Sequence, residues 1–553
     1  MTEELVATIL PRMQEFNTAE SGKLLAAKKE EVTEFGKFFE KVQRDPYYLS
    51  LLSEVSKLGV SDLKVSTDAH GSLDAMLAPM LASGAFKTEK ENIRRGYVKI
   101  GDFLGDGDIT PLTQEQFDAL SPEQQLEYFP IFDLDFSDNN ERFVFNGDGL
   151  DGGRFSINVF LTYLYLLRKQ DKLLKKKKFF FNFGNHELFA LFNMLAAFSE
   201  RCEAMLPGFM DNVGETPRRK FYCGLIRDII RKNFNLFDFC MCQKVGAKDI
   251  QISHSIILEG ILNGILDKIP TTTISEEQKK KFLGCIKDGS YVDYNELNTT
   301  LKSFISDKLK NGIEKYSALC GLVMASKRDD CTSKFTINLG GLGEKTYELT
   351  KQEEKLLYLV GHVIYDLDSF RKVCNCIVPM DFGASSEYKS SPLYYNPYNP
   401  RVESCPRLTI ITSDGKVTIQ IPLPVLGAEF TESKTCYVTF YRDSGEMVHV
   451  SFDISKESFQ NPKKFMKELK DELKKLRIEL TTKELASSTT SSEETFTDPK
   501  LYPPVKETPP VKETGEDETE KEPKEPVKKQ PRVERLTASY QEGYNSTGNS
   551  LGA

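Results

Sequence analysis

Several features that define large classes of proteins are missing from this sequence, and each absence excludes something. It has no uninterrupted run of about 18 apolar residues, so we expect no transmembrane helix. Its formal net charge is -9, so it lacks the basic excess with which general nucleic-acid binders neutralise phosphates, and we expect no nucleic-acid partner. The acidic start at Met1 to Leu5 has neither the basic nor the apolar region of a signal peptide, so we expect no cleavable secretory signal.

Cysteine is present, but not in the pattern of a disulfide-stabilised protein. The 11 cysteines are odd in number and scattered through 553 residues, which is typical of reduced thiols in the cytoplasm. Cys240/Cys242 and Cys374/Cys376 could each supply half of a zinc site, but both pairs lie in apolar, strand-like segments. We therefore interpret them as buried structural residues and expect a cytoplasmic protein.

Histidine is scarce, with five residues in the whole chain. Four of them, His70, His186, His254 and His362, follow short apolar segments that we predict to be strands. Open α/β sheets bind their ligands at the C-terminal ends of strands. A single histidine in such a place is usually a packed or surface residue, so the weight of these four depends on the motifs that surround them.

The segment 143–187 predicts a βαβ unit with a polar loop after each strand. A short apolar strand leads into the loop GDGLDGG at positions 147–153. Residues 156–172 repeat apolar side chains at helical spacing, and 179–183 is the return strand, which ends in GNHE at 184–187. Because the crossover makes the two strands parallel, we expect both loops at the same edge of the sheet.

These two loops resemble motifs of the calcineurin-like metallophosphoesterases, in particular the phosphoprotein phosphatase branch, which has GDxxDRG and GNHE. The three further motifs of that family have counterparts in the same order. Asp68-Ala69-His70-Gly71 resembles GDxHG with Thr67 in place of the first glycine, Ser253-His254 resembles a histidine that follows a strand, and Gly361-His362 resembles the final GH. The resemblance covers roughly Leu63 to Phe452.

The resemblance implies a site for two divalent metal ions, which are manganese, iron or zinc in the family. Carboxylate and imidazole ligands suit such ions. A pair of ions about 3.5 to 4 Å apart activates a nucleophile and neutralises charge on a transferring phosphoryl group. The implied ligands are Asp68 and His70 for the first ion, Asp148 as the bridge, and Asn185, His254 and His362 for the second ion.

The resemblance also implies a proton donor and a phosphate-binding residue. His186 would protonate the leaving oxygen, with Asp151 orienting its ring. The family's phosphate-binding arginine is replaced by Gly152, although a guanidinium suits phosphate oxygens well. Arg154, together with Asn185, is one candidate for this contact, because glycines at 152 and 153 allow the loop to turn its side chain inward. If Arg154 is instead solvated, the remaining candidates are Arg218, Arg219, Arg227 and Arg231.

The implied fold is α/β, a calcineurin-like four-layer αββα sandwich of two mixed sheets with helical insertions and a disordered C-terminal tail. Leu63–Ser66 is predicted as the first strand of the core, and 408–421 and 435–452 as hairpins that close it. The predicted organisation is a helical segment at 1–60, a catalytic domain at 61–455 with insertions at about 84–140 and 263–345, an amphipathic helix at 456–486, and a tail at 487–553 whose polar composition cannot form a core.

Two local patterns allow more than one interpretation. The loop GDFLGDGD at 101–108 could be a second metal motif or part of a calcium loop, but it lacks DxDxDG spacing and no crossover to GNHE follows it. We interpret it as a solvated acidic loop near the mouth of the site. Residues 462–485 repeat apolar side chains in steps of three and four, which predicts either a helix docked on the core or self-association through a short coiled coil.

The expected function is hydrolysis of a phosphomonoester, with a phosphorylated protein as substrate. Preference for serine and threonine or for tyrosine stays open, since the family's SAPNY loop is replaced by residues 380–385. Two alternatives are a dinucleoside polyphosphate hydrolase and a scaffold that keeps the fold without catalysis. The architecture also resembles phosphatase effectors that intracellular bacteria inject, so translocation into a host cell is an alternative to a purely cytoplasmic location.

Overall fold

Helices and strands alternate along the chain, which makes the protein a mixed α/β structure. All of the described residues belong to one compact unit, Met1–Lys483. The second unit, Glu484–Ala553, includes the predicted tail and contains no described residues. The computed structural model describes residues 21–58, 63–150, 153, 155–192, 216–246, 248–268, 275–287, 291–308, 326–327, 334–338, 344–348, 355–361, 376–381, 405–426, 433–442, 446–476 and 478.

The described helices are α1 Ser21–Arg44, α2 Pro46–Ser56, α3 Leu73–Ala82, α4 Gln114–Asp118, α5 Pro122–Gln125, α6 Ser156–Leu173, α7 Asn185–Leu191, α8 Thr216–Lys232, α9 Glu259–Lys268, α10 Glu276–Leu283, α11 Tyr294–Lys308 and α12 Pro462–Lys475. The described strands are β1 Leu63–Ser66, β2 Ile93–Lys99, β3 Tyr128–Leu134, β4 Arg142–Asn146, β5 Phe179–Asn182, β6 Cys240–Val245, β7 Lys248–Ser253, β8 Ile286–Lys287, β9 Tyr291–Val292, β10 Ser326–Lys327, β11 Lys334–Asn338, β12 Glu344–Glu348, β13 Leu357–Val360, β14 Ile377–Pro379, β15 Arg407–Ile411, β16 Val417–Pro422, β17 Lys434–Tyr441 and β18 Met447–Ile454. Within this part of the chain, no helix is both long enough and apolar enough to cross a membrane.

The larger sheet has seven strands in the order β18-β17-β16-β15-β1-β4-β5. Strands β1, β4 and β5 are parallel, and α6 is the crossover between β4 and β5, so the predicted βαβ unit is confirmed. Strands β15 to β18 form antiparallel hairpins at the other side of β1. The sheet is therefore mixed, and the loops after β1, β4 and β5 leave it at one edge.

The second sheet has four strands in the order β14-β13-β7-β6. Strand β13 is parallel to both of its neighbours, while β6 and β7 form an antiparallel hairpin. Strands β7 and β13 are those that lead to the third and fourth histidines of the motif series. Because they are parallel, the residues that follow them leave this sheet at one common edge.

One buried apolar cluster contains side chains from both sheets. Successive side chains of a strand point to opposite faces, so alternate residues of each strand enter this cluster. Its members from the larger sheet include Val65 and Val144, and those from the smaller sheet include Ile252 and Leu359. Burying each such side chain contributes about 1.5 to 3 kcal/mol. Burial of this cluster therefore brings the two sheets, and the edges at which their loops emerge, into contact.

The opposite faces of the sheets belong to a larger apolar cluster that also contains residues of the helices. On the larger sheet, the ring of Phe145 in β4 stacks on Tyr163 of α6, with ring centroids 4.4 Å apart. On the smaller sheet, the Cys240 thiol of β6 donates to the carbonyl of Tyr294 in α11 at 3.5 Å. Helices therefore contact both sheets on the faces that do not enter the shared cluster.

The cysteine pairs are structural where they are described. Cys240 and Cys376 are buried and Cys242 is half-buried, while Cys374 lies outside the described residues. Cys240 belongs to the apolar cluster that contains the helices, so its thiol packs as a small apolar group. The prediction of buried structural cysteines is confirmed for Cys240 and Cys376.

The first insertion contains a hairpin that the sequence pattern did not predict. Strands β2 and β3 pair in antiparallel register from Ile93 with Leu134 to Lys99 with Tyr128. The helical part that was predicted is present as α5, where Ser121 and Gln124 form a capping box before the apolar residues. The insertion is thus a two-stranded sheet with short helices in the connection.

The side chains of Asp106 and Asp108 in the acidic loop 101–108 are exposed, as predicted for a solvated loop, and basic residues contact the loop. The Arg168 guanidinium donates to the carbonyls of Phe103 and Gly105, at 2.8 and 2.9 Å, and Lys232 pairs with Asp106 at 2.6 Å. Arg168 lies twelve residues beyond Ser156 in α6, about 18 Å along the helix axis from its start. Because α6 starts beside the loop after β4, Arg168 contacts the acidic loop near the other end of that helix. The position of the acidic loop near the mouth of the site stays a prediction.

Helices α1 and α2 confirm the helical prediction for 1–60 in its described part. Helix α12 is docked on the core: Phe465, Met466, Leu469 and Leu473 are buried, and the helix packs against α2. Its apolar seam is thus used within the chain. Self-association through 462–485 would have to use other residues of that segment and stays a prediction.

We expect Leu469→Ala to lower the free energy of unfolding by about 2 to 5 kcal/mol, because it removes a fully buried side chain and leaves a cavity between α12 and the core. Chemical denaturation measures this change. The exposed neighbour Lys470 provides the control, and Lys470→Ala should change stability by no more than about 0.5 kcal/mol. Equal stabilities of the two variants would contradict the docked position of α12.

Candidate metal centre

The loops that follow β1 and β4 run side by side and are joined through their backbones. The Asp68 N–H donates to the Gly147 carbonyl at 3.0 Å, and the His70 N–H donates to the Asp148 carbonyl at 2.9 Å. These bonds extend the parallel pairing of β1 and β4 beyond the ends of the strands. They place the first carboxylate of one motif next to the first carboxylate of the other.

The same loops contain backbone conformations that L-residues rarely adopt. Asp68, His70 and Asp148 have φ values of 53°, 42° and 57°, and they are the non-glycine residues with positive φ in the described part of the chain. Such a conformation costs on the order of 1 to 3 kcal/mol per residue and persists only where the surroundings enforce it. All three residues were predicted as metal ligands. The strain is therefore concentrated at the site.

Glu187 helps to hold these loops in their strained conformation. Its buried carboxylate accepts hydrogen bonds from the backbone N–H groups of Asp148, Leu150 and Gly184, at 3.0, 2.8 and 2.9 Å. Glu187 is the third residue of α7, the position of a capping-box glutamate. One side chain thus ties the loop after β4 to the loop after β5.

Two overlapping groups of potential ligands share the Asp148 carboxylate. His70, Asp148 and His186 form one group, and Asp68, Asp148 and His254 form the other; in each, the ligand atoms lie within 4.8 Å of one another. Asp148 Oδ2 is 3.6 Å from His70 Nε2, 3.7 Å from His186 Nε2 and 3.2 Å from His254 Nε2. Atoms that each lie about 2.1 Å from one ion are themselves about 3 to 3.5 Å apart. The arrangement is therefore compatible with one carboxylate lying between two ions.

A hydrogen bond at Nδ1 fixes the orientation of the His254 ring. Its Nδ1 lies 2.9 Å from the carbonyl of Asn146, and a carbonyl can only accept, so Nδ1 carries a hydrogen. Its Nε2 then faces Asn185 Oδ1 at 3.0 Å and Asp148 Oδ2 at 3.2 Å. Metal-binding histidines commonly have this arrangement, in which a second partner fixes the tautomer.

The electrostatics of this cluster favour a cation beside the carboxylates. Burial lowers the pKa of His254, but the charges of Asp148 and Asp68 outweigh it and raise the pKa to about 10. Burial alone would raise the pKa of Asp148, whereas the rings of His254, His186 and His70 hold it well below its usual range. A divalent ion bound here would replace the proton on His254 Nε2, as is general for histidine sites.

Six of the predicted site residues come together at this edge: Asp68, His70, Asp148, Asn185, His186 and His254. Asp151, Arg154 and His362 lie outside the described residues, so their predicted roles stay predictions. Gly361, which precedes His362, lies next to the cluster. Its N–H donates to the His254 carbonyl at 3.1 Å, and a Cβ at this position would overlap Asp68 Oδ2. The described residue of the final motif, Gly361, therefore lies at the site.

The sequence departs from the family motifs at Thr67 and at the missing phosphate-binding arginine, and the structure explains only the first departure. Thr67, at the position of the first glycine, has its hydroxyl within hydrogen-bond distance of the Asp68 carboxylate and 2.9 Å from the Asn146 carbonyl. It therefore contributes to the site rather than weakening it. Of the alternative phosphate-binding arginines, Arg227 and Arg231 both pair with Asp228, at 3.2 and 3.5 Å. The residue that replaces the missing arginine stays open.

Three residues of the site were not predicted from the sequence: Glu187, which belongs to the GNHE motif, and the asparagines Asn146 and Asn182. Each asparagine ends an apolar strand, in Phe-Val-Phe-Asn and Phe-Phe-Phe-Asn, and each is fully buried. A repeated polar residue at the end of an otherwise apolar strand was the signal that could have indicated them.

Comparison of the sequence with models of known protein families and with curated proteins finds no match. The resemblance to the metallophosphoesterases therefore depends on the short motifs and on the site that they form.

We expect Glu187→Gln to weaken Mn²⁺ binding by about tenfold or more, because a carboxamide has one acceptor oxygen for three backbone N–H groups and no longer fixes the Asp148 loop. Titration calorimetry measures the affinity. Glu468 provides a matched control, since its carboxylate also accepts three hydrogen bonds, from Ser455 and Ser458, but lies on α12. If Glu187→Gln and Glu468→Gln both bind Mn²⁺ as the parent does, Glu187 has no part in shaping the site.

Proposed function

We propose that the protein is a two-metal phosphomonoesterase that hydrolyses phosphorylated proteins. The observation that carries this proposal is the Asp148 carboxylate, which belongs both to the group His70, Asp148 and His186 and to the group Asp68, Asp148 and His254. A pair of ions that share one carboxylate is the arrangement used for in-line displacement at phosphorus. The order of the motifs along the chain and the meeting of their loops at one edge support the same proposal.

We propose a calcineurin-like four-layer sandwich as the fold of the core. Two mixed sheets that contribute to one apolar cluster support this assignment, as do helices on the opposite face of each sheet. In such an arrangement the edges of the two sheets lie side by side. Residues from four separate strands can then contribute to one site.

The residues present fit the proposed ions. The ligand atoms are carboxylate oxygens, an amide oxygen and imidazole nitrogens, a set that suits manganese, iron or zinc. Two divalent ions, when bound, would supply a nucleophile stronger than water and neutralise charge on the phosphoryl oxygens. The proposed ligands are Asp68 and His70 for one ion, Asp148 for both, and Asn185, His254 and His362 for the other.

His186 is proposed to protonate the leaving oxygen of the substrate. Its side chain is 12% exposed, compared with 0% for His254 and 2% for Asp148, so it is the more accessible of these groups. A proton donor must reach the leaving group, which arrives from solvent. Asp151 would orient the His186 ring, and Arg154 with Asn185 would bind the phosphate. The cytoplasmic location, and translocation into a host cell as its alternative, also belong to this proposal.

We expect the purified full chain to hydrolyse p-nitrophenyl phosphate, to lose this activity on treatment with chelators and to regain it when Mn²⁺ is added. The reason is that the proposed nucleophile and the charge neutralisation both depend on the ions. Absorbance of p-nitrophenolate measures the rate. Activity that survives exhaustive chelation would contradict the proposal, and parallel assays with a phosphopeptide and diadenosine tetraphosphate distinguish the two substrate classes.

We expect His254→Ala to abolish both metal loading and turnover, whereas His186→Ala should keep two ions per chain and lose about 10² to 10⁴-fold in kcat, the usual contribution of a general acid. Metal analysis and steady-state kinetics measure the two effects.

The matched control for both variants is His449→Ala, because His449 lies on β18, where its Nδ1 is 2.9 Å from the Thr439 hydroxyl. This variant should resemble the parent in both measurements. Loss of metal from His186→Ala equal to the loss from His254→Ala would show that His186 is a ligand with His70 and Asp148 rather than a proton donor.

A further inference from the structure

Two asparagines lie side by side beneath the candidate metal centre. Asn146 is the last residue of β4 and Asn182 the last of β5, and the two are partners in the parallel register of these strands. Both side chains are fully buried. The Asn182 amide donates to Asn146 Oδ1 at 2.8 Å, so the two side chains form one unit, which we call the asparagine pair.

The asparagine pair faces the second sheet. Residues two positions apart in a strand share a face, so Asn146 lies on the same face as Val144, and Asn182 on the same face as Phe180. Val144 belongs to the apolar cluster shared by the two sheets, and Phe180 packs against that cluster. The pair therefore continues this cluster toward the edge of the sheets that carries the proposed ligands, but with polar side chains.

The amides of the pair bond to the strand that leads to His254. Asn146 Nδ2 donates to the carbonyl of Ser253 at 2.8 Å, and Asn182 Nδ2 donates to the carbonyl of Ile252 at 3.0 Å. Ile252 and Ser253 are the last two residues of β7, and His254 follows directly. Both hydrogen bonds thus join the larger sheet to the smaller one at the point where the histidine leaves its strand.

The backbone of Asn146 acts on the histidine ring itself. Its carbonyl accepts from His254 Nδ1, so the strand that provides the amide contact to Ser253 also fixes the tautomer of the next residue. Asn146 therefore contacts both the chain before His254 and the ring of His254. A change in the register of β7 against β4 would break both contacts together.

An apolar pair at these two positions would fit the shared cluster without needing hydrogen bonds. Apolar contacts are not directional, so they would allow β7 to shift slightly along the larger sheet. The amide-to-carbonyl bonds have defined lengths and angles and exclude such shifts. The polar residues are therefore explained by the need for one fixed position of the β7 end rather than by packing.

We propose that Asn146 and Asn182 are positioning residues, which fix the end of β7 so that His254 Nε2 faces Asp148 and Asn185. The role of His254 as a metal ligand rests on the proposed function, but the positioning itself concerns the protein without ions. Neither asparagine would contact substrate or metal. They act through His254, and the Asn146 carbonyl in addition accepts from the Thr67 hydroxyl at 2.9 Å, a contact that Asn182→Leu leaves in place.

The test uses Asn182→Leu, which removes the amide but leaves every proposed ligand and the Asn146 carbonyl in place. We expect its Mn²⁺ affinity, measured by calorimetry, to fall about 10 to 100-fold, as is usual when a residue that orients a metal ligand is lost. Gln420→Leu is the matched control. Gln420 is also buried in the larger sheet and donates to the Pro379 carbonyl of the smaller sheet at 2.9 Å, but it does not contact His254.

A second measurement examines the protein without metal. Nuclear magnetic resonance of the chain labelled with ¹⁵N-histidine observes only five histidines. The spectrum should contain a slowly exchanging Nδ1 proton of His254. Loss of this signal in His254→Gln assigns it. We expect this signal in the parent and in Gln420→Leu, and its loss or rapid exchange in Asn182→Leu. If Asn182→Leu does not fold, Asn182→Ala, which adds no volume, is measured in the same way.

Parent-like Mn²⁺ affinity together with a retained Nδ1 proton in Asn182→Leu would overturn the proposal. Equal weakening in Asn182→Leu and Gln420→Leu would also overturn it, since it would indicate only a general effect of joining the sheets. If the parent itself binds no Mn²⁺, the proposed function fails, and the Nδ1 proton alone then decides whether the asparagine pair positions His254.

Discussion

The structure of this site depends on keeping two carboxylates, Asp68 and Asp148, buried next to each other. Buried like charges repel strongly and are tolerated only beside cations or with several hydrogen-bond donors. Here the rings of three histidines lie within 3.2 to 3.7 Å of Asp148 Oδ2, and backbone N–H groups orient the loops. The strained φ values of Asp68 and Asp148 are the conformational consequence of holding the carboxylates in this position.

The residues that surround the two carboxylates are brought together by the packing of the two sheets. One carboxylate follows β1, the other follows β4, and the histidine that faces both follows β7 of the second sheet. The shared apolar cluster supplies the free energy for this contact, and polar contacts at its edge determine how the loops are aligned. Glu187 aligns the two loops of the larger sheet, while Asn146 joins that sheet to the strand before His254. Stability and positioning are therefore provided by different sets of residues.

Much of the local structure could be predicted from the sequence, because periodic apolar patterns act over short distances. The crossover helix predicted at 156–172 is α6, Leu63–Ser66 is β1, and the predicted hairpin at 408–421 corresponds to β15 and β16. Motifs at strand ends predicted the six ligand-like residues that meet. The β2–β3 hairpin was missed because its strands pair across about thirty intervening residues. The roles of Glu187 and Asn146 were missed because their partners are backbone atoms of distant loops, which no side-chain pattern reveals.

The sharing of the Asp148 carboxylate by two ions is tested most directly by anomalous diffraction from crystals of the full chain soaked in Mn²⁺. We expect two anomalous peaks about 3.5 to 4 Å apart, one on each side of the Asp148 carboxylate. The peak nearer to His254 should also contact Asn185, and the other should lie beside His70. A single peak, or none at Asp148 in crystals where the surrounding loops are ordered, would contradict the claim that this carboxylate is shared by two ions.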